Sequence, residues 1–232
     1  AWIRGEKGSH NAAFITAGLF LATYKLSGFW FDVARVDSLC LFLMLCGLYV
    51  FYFTQRPRNA VLAGILFAGA CFTKQSALIT LFPCFLFALC INRRQTLITA
   101  ATTAGLLILA CVVFELSSDG WFSFYTYDVP AGHKNDLRQV SALWTRDFSR
   151  NCLMLILLSG GALYMLRKQR QKWLWYSGMV LGFIGSACLL RIHSYGHVNV
   201  LMNAHVVLVL LSGLMLAQAQ AHNIKHIYAA VC

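Results

Sequence analysis

Phe29-Trp30-Phe31-Asp32-Val33-Ala34-Arg35-Val36-Asp37-Ser38-Leu39-Cys40-Leu41-Phe42-Leu43 sets three charges, Asp32, Arg35 and Asp37, directly before a long apolar run. In hydrocarbon each would cost about 2.5 to 3.5 kcal/mol on insertion scales, so such groups face a bundle interior or a wet cavity and mark a functional site. The rest of the chain supports a membrane setting for this stretch. Of its 232 residues 59% are hydrophobic and 12% charged, with a mean hydropathy of +0.65. A soluble domain carries about 25% charged residues. These figures point to an all-α, polytopic transmembrane helical bundle.

Apolar runs long enough to cross about 30 Å of hydrocarbon fall at 11–27, 38–54, 59–72, 76–91, 96–114, 152–166, 173–190 and 198–218. They make about eight spans in a single transmembrane domain covering 1–232. The third and fourth are separated only by Thr73-Lys74-Gln75, which predicts a tight hairpin. Lys and Arg gather in short cytoplasmic loops. With the N-terminus inside, Arg4, Lys7, Arg56, Arg58, Arg93, Arg94, Arg167, Lys168, Arg170, Lys172 and Lys225 all become cytoplasmic, with Glu6 the one acid among them. Every other acid then lies outside, together with Lys25, Arg35, Lys74, Lys134, Arg138, Arg146, Arg150 and Arg191. The net charge of +11 is thus a topology signal, and no nucleic-acid partner is expected. The partner is the lipid bilayer, and any chemistry belongs to the outer face.

Eight of the nine cysteines lie in or beside apolar runs, without CxxC or Cys/His spacing. They read as small hydrophobes, so neither a disulfide nor a metal is expected. The chain opens Ala1-Trp2-Ile3-Arg4, with no Met and no signal-peptide pattern, a few residues before a span. This reads as the C-terminal part of a larger chain.

The external loop 116–151 divides in two. Residues 117–135 are aromatic and punctuated by Gly120, Pro130 and Gly132, which predicts irregular structure. Beyond Asp136, Leu137, Val140, Trp144 and Phe148 recur three or four apart, predicting an interfacial helix near 137–150 with arginines on its other face.

Three polar groupings could carry chemistry at that face. In the first, Asp32 and Arg35 are spaced to pair on one helical face, while Asp37 starts the next helix beside Ser38. A carboxylate there suits orienting an acceptor, and a cap and an ion pair suit it equally. In the second, Lys74 and Gln75 follow Thr73, so a hydroxyl, an ammonium and an amide share one bend; this suits a phosphate better than simple anchoring. The third is Arg191, His193, Tyr195, His197 and Asn199. Its two histidines lack further ligands, so phosphate or sugar contact is expected there rather than a metal. No cofactor is predicted, and a divalent metal has no support. Aromatic residues around these positions suit either an interfacial belt or sugar stacking.

Phe29 to Leu39, Phe72-Thr73-Lys74-Gln75-Ser76, and Gly196-His197-Val198-Asn199-Val200-Leu201-Met202 before a final span together resemble the bacterial membrane glycosyltransferases of the family 39 type. That group has the GT-C fold and includes protein mannosyltransferases and aminoarabinose transferases of lipid A. The resemblance implies an inverting transfer of a sugar from a polyprenyl-phosphate donor to a glycan, lipid or protein acceptor, at the periplasmic face of a bacterial inner membrane. It implies a donor-phosphate role for Lys74 and Arg191, and a polar-site role for Asp32, Arg35, Asp37 and Asn199. The family's acidic catalytic motif lies in a first external loop that has no counterpart here. The catalytic group is therefore expected upstream of Ala1, with Asp32 and Asp37 in support and this stretch inactive alone. His197 and Asn203 stand where the family has glycine and proline. The rival readings are an O-antigen polymerase or ligase, which would not carry the Thr-Lys-Gln hairpin, and a transporter or lipid flippase, which would hold charges near the bilayer middle.

Overall fold

A computed structural model describes residues 1–29, 31, 36–54, 56–132, 135–192 and 196–221. Its helices are α1 (Trp2–Gly5), α2 (His10–Ala22), α3 (Val36–Phe53), α4 (Pro57–Thr73), α5 (Ala77–Leu89), α6 (Arg93–Ser117), α7 (Trp121–Ser123), α8 (Val129–Ala131), α9 (Arg138–Ala142), α10 (Leu153–Leu166), α11 (Arg170–Ile192) and α12 (Met202–Ala221). Phe124–Asp128 and Leu143–Arg150 are π-helical, and Val198–Leu201 is a 3-10 turn leading into α12. Each expected span overlaps one helix.

Local chemistry explains several helix starts. Ser9 caps α2 by accepting from the Ala12 N–H at 3.1 Å, and Asn92 caps α6 by accepting from the Gln95 N–H at 3.2 Å. Pro57 opens α4, where its missing N–H costs nothing. Among the described residues four segments are long and apolar enough to cross a membrane: Val36–Phe53, Arg93–Ser117, Arg170–Ile192 and Val198–Gln220. A fifth crossing exists if Arg138–Arg150 and Leu153–Leu166, bent by 83°, act as one. Helices α2, α4 and α5 are shorter apolar helices. The perimeter carries exposed Phe14, Phe42, Ile65, Ile108 and Leu109, as a bundle solvated by lipid requires and a water-soluble one avoids. The fold is an all-helical bundle of the multi-pass membrane type.

Packing places α12 at the centre. Its segment is 83% buried, whereas α6, equally apolar, is 11% buried and lies at the edge. Threonines moor α6 to α4: Thr99 and Thr103 donate to the carbonyls of Ala60 and Gly64 at 3.0 and 3.2 Å. Helices α5 and α11 meet at backbone distance, because a Cβ on Gly182 would lie 2.1 Å from the Thr80 carbonyl oxygen. Small residues allow this kind of approach in membranes. Near the other end of α11 the rings of Trp2, Tyr52, Trp175 and Phe51 stack in one column, with neighbouring centroids 5.0 to 6.2 Å apart.

The loop differs from expectation in both halves. Its first half is helical, not irregular, because side chains cap it. Glu115 accepts from the Ser123 N–H and hydroxyl, both at 2.9 Å, and Ser118 accepts from the Phe122 N–H at 2.9 Å. Pro130 sits in the first turn of α8, where proline is tolerated. The second half is helical as predicted, but in its π-helical part Leu143, Asp147 and Phe148 are buried and Trp144 is exposed, and Leu137, which precedes α9, is exposed as well.

Candidate functional site

Asp37 lies in the first turn of α3, where a carboxylate suits the positive end of the helix dipole. Its side chain is 7% exposed and is held by two partners from distant parts of the chain. Lys74 donates its ammonium to Asp37 Oδ1, and Asn199 Nδ2 donates to the same oxygen at 3.1 Å. The backbone explains how Lys74 reaches across. At the end of α4 it adopts an extended conformation (φ −158°, ψ 118°), while its N–H still bonds the Ala70 carbonyl at 2.9 Å. Asn199 is delivered by the 3-10 turn ahead of α12 and is itself buried. The structure thus brings Asp37, Lys74 and Asn199, one from each sequence grouping, to one carboxylate.

Beside this junction is a cavity of about 470 Å³, lined by the polar Thr73, Lys74, Gln75 and Ser76 and the apolar Phe72, Ile79 and Leu190. Lys74 keeps 28% of its side chain exposed and lines the cavity while its ammonium serves Asp37. Hydroxyl, amide and ammonium groups in this lining suit an oxyanion, and its apolar side chains suit a hydrocarbon chain.

Arg191 takes a different position. It is buried in the last turn of α11, where Nε donates to Asp147 Oδ2 at 3.1 Å and Nη1 to the Gly196 carbonyl at 2.5 Å. Arg146 Nε donates to the other Asp147 oxygen at 2.8 Å. With the Asp136 N–H on the Ile192 carbonyl at 2.8 Å, these bonds fasten the loop to α11. Arg191 is thus committed to holding the loop, and it does not line the 470 Å³ cavity, although its neighbour Leu190 does. Gly196 packs closely against the end of α11: a Cβ on it would lie 2.2 Å from the Leu190 carbonyl oxygen. Gln75 and His197 are exposed. Asp32, Arg35 and His193 lie outside the described residues. In the loop itself, the Arg138 side chain and N–H hold the exposed Asp136 carboxyl below the usual carboxylate range.

Two residues outside the candidate site groupings hold its surroundings together. Asp147 is the buried anchor for Arg191, and its signal was an acid lying next to Phe148 on a helix otherwise apolar on that side. Asn203 follows Asn199 by one turn and donates to the Ser186 hydroxyl at 3.2 Å, which in turn accepts from Thr80 at 2.8 Å. This ties the start of α12 to α5 and α11 directly below the site. Deeper, the buried Ser27 hydroxyl and His205 Nδ1 are 3.0 Å apart. Among the described residues no three His, Cys, Asp or Glu side chains gather closely enough to hold a metal ion. Compared with protein-family models, with curated proteins and with solved structures, the chain matches none.

Proposed function

We propose that this chain is part of a membrane glycosyltransferase of the GT-C type, moving a sugar from a polyprenyl-phosphate donor to an acceptor at the end of the bundle that carries Asp37, Lys74 and Asn199. The observation that supports it is the meeting of those three residues at one carboxylate beside the 470 Å³ cavity. They come from the three short motifs on which the resemblance to that family rests. In this reading the opposite end, rich in Arg and Lys, faces the cytoplasm of a bacterium and the Asp37 end faces the periplasm.

The chemistry assigns each group a task. An acceptor hydroxyl attacks the anomeric carbon of the donor while the bond from that carbon to the phosphate oxygen breaks. The departing electron pair stays on the phosphate, and the acceptor proton passes to a carboxylate base. Lys74 stabilises the phosphate charge as it develops, where a fixed cation is worth most. Asp37 and Asn199 keep the ammonium from turning out to solvent. Gln75 and Ser76 offer further donors to the phosphate, and Phe72, Ile79 and Leu190 take the first prenyl units.

The test is sugar transfer by the full-length protein in vesicles supplied with polyprenyl-phosphate sugar, read as release of polyprenyl phosphate. Lys74→Ala is expected to lower the rate about a hundredfold, the scale on which one charge-stabilising donor acts. An unchanged rate removes Lys74 from the site. Export of the intact donor, with no release, favours a flippase.

A further inference from the structure

The opposite end of the bundle holds a second cleft, of about 300 Å³, whose walls include Glu6, Tyr52, Asn92, Gln95, Lys172 and Trp175. We propose that it is a separate binding site for a phosphate group, carried by a lipid headgroup or free in solution.

Three independent features point to an anion with several oxygen acceptors. First, the starts of two long helices border the cleft: Gln95 and the N-cap Asn92 at α6, of 25 residues, and Lys172 at α11, of 23 residues. The Gln95 N–H is taken by Asn92 and its side-chain amide by the Phe51 and Thr54 carbonyls, so what these helix starts bring to the cleft is the positive ends of both dipoles. Second, Trp175 is 2% exposed and lines the cleft, yet its indole N–H has no hydrogen-bond partner among the described residues. A buried donor without an acceptor is costly, and a ligand oxygen would satisfy it. Third, the surroundings are cationic, with Arg93 and Arg94 opening α6 and Arg170 opening α11.

Glu6 is the one acid in the wall, and its charge is already engaged. Lys172 donates to Oε2 at 2.5 Å, and the Tyr176 hydroxyl donates to Oε1 at 2.8 Å. Lys172 retains two further N–H donors and is 38% exposed. A cationic ligand is disfavoured both by this field and by the rings. Trp175 stacks between Phe51 and Tyr52, with interplanar angles of 12° on each side, so its faces are covered and do not form an aromatic cage.

The test uses the full-length protein in nanodiscs of phosphatidylcholine with or without phosphatidic acid, with bound lipid counted by native mass spectrometry. Wild type is expected to retain one phosphatidic acid in preference to phosphatidylcholine. Trp175→Phe, which keeps the ring and removes the N–H, is expected to weaken retention about tenfold, and Lys172→Gln at least as much. Arg138→Gln, which removes a cation from a 92% exposed side chain lining neither cleft, should leave it unchanged. Competition by millimolar inorganic phosphate identifies the phosphate group itself as the ligand; its failure to compete assigns the site to the lipid. Equal retention by wild type and both variants, or no preference for phosphatidic acid, overturns the proposal.

Discussion

Each end of the bundle carries a carboxylate clasped by a lysine beside a cleft, and the two clasps are built differently. At one end Asp37 gathers Lys74 and Asn199, so that α3, α4 and the approach to α12 meet at one oxygen. At the other, Glu6 takes Lys172 and Tyr176 on separate oxygens, both from α11, against a column of aromatic rings. The second end is far more cationic, yet the first has the denser convergence of sequence-distant groups. Charge count reports membrane side, whereas shared hydrogen-bond partners report where distant segments have been drawn to one point.

Breaking the clasps should rank them. Asp37→Ala leaves the Lys74 ammonium in a largely enclosed place and removes the partner of Asn199. Losing one member of a buried pair costs about 3 to 5 kcal/mol, and because Lys74 keeps 28% exposure the expected loss is at the low end, about 3 kcal/mol. It is read as denaturant stability in micelles. Asp37→Ala combined with Lys74→Met should recover part of it, because no ammonium is then stranded.

Next is Gly196→Ala, which puts a methyl against the Leu190 backbone and pushes Gly196 away from the end of α11. Overpacking of this kind costs about 1 to 3 kcal/mol. Because Gly196 lies three residues before Asn199, the same change should weaken the Asn199 contribution to Asp37; a thermal scan of the single and double variants with Asn199→Ala checks that non-additivity. Smallest is Glu6→Gln, expected to cost about 1 kcal/mol, because an amide still accepts from Tyr176 and the 38% exposed Lys172 can turn to water. If Glu6→Gln proves costlier than Asp37→Ala, the ranking of the two ends is reversed.

The helices were legible in the sequence because hydrocarbon length imposes long apolar runs, and all eight runs became helices. Their order from centre to edge was not legible. Helices α6 and α12 are similarly apolar, and what separates them is the polar residues each carries. Asn203, His205 and Ser212 on α12 find partners on several sides, whereas on α6 Thr99 and Thr103 reach α4 and Gln95 reaches the end of α3. In the candidate site, Lys74 was singled out for its Thr-Lys-Gln bend and Asn199 for its dense polar loop. That both would reach Asp37 is a long-range contact, which no local pattern encodes. Asp147 was missed for the same reason: its bond to Arg191 joins the loop to α11 across forty-four residues, and no local pattern encodes it.

The central claim is that Asp37, Lys74 and Asn199 form one phosphate-binding unit, and its most direct measurement is polyprenyl-phosphate affinity of the full-length protein in phosphatidylcholine nanodiscs, taken around a double-mutant cycle of Lys74→Ala and Asn199→Ala. Lys74→Ala is predicted to weaken binding about tenfold or more, Asn199→Ala by less, and the double variant by no more than Lys74→Ala alone, because Asn199 acts through the carboxylate that positions the ammonium. Affinity unchanged by Lys74→Ala, or effects of the two substitutions that simply add, would contradict it.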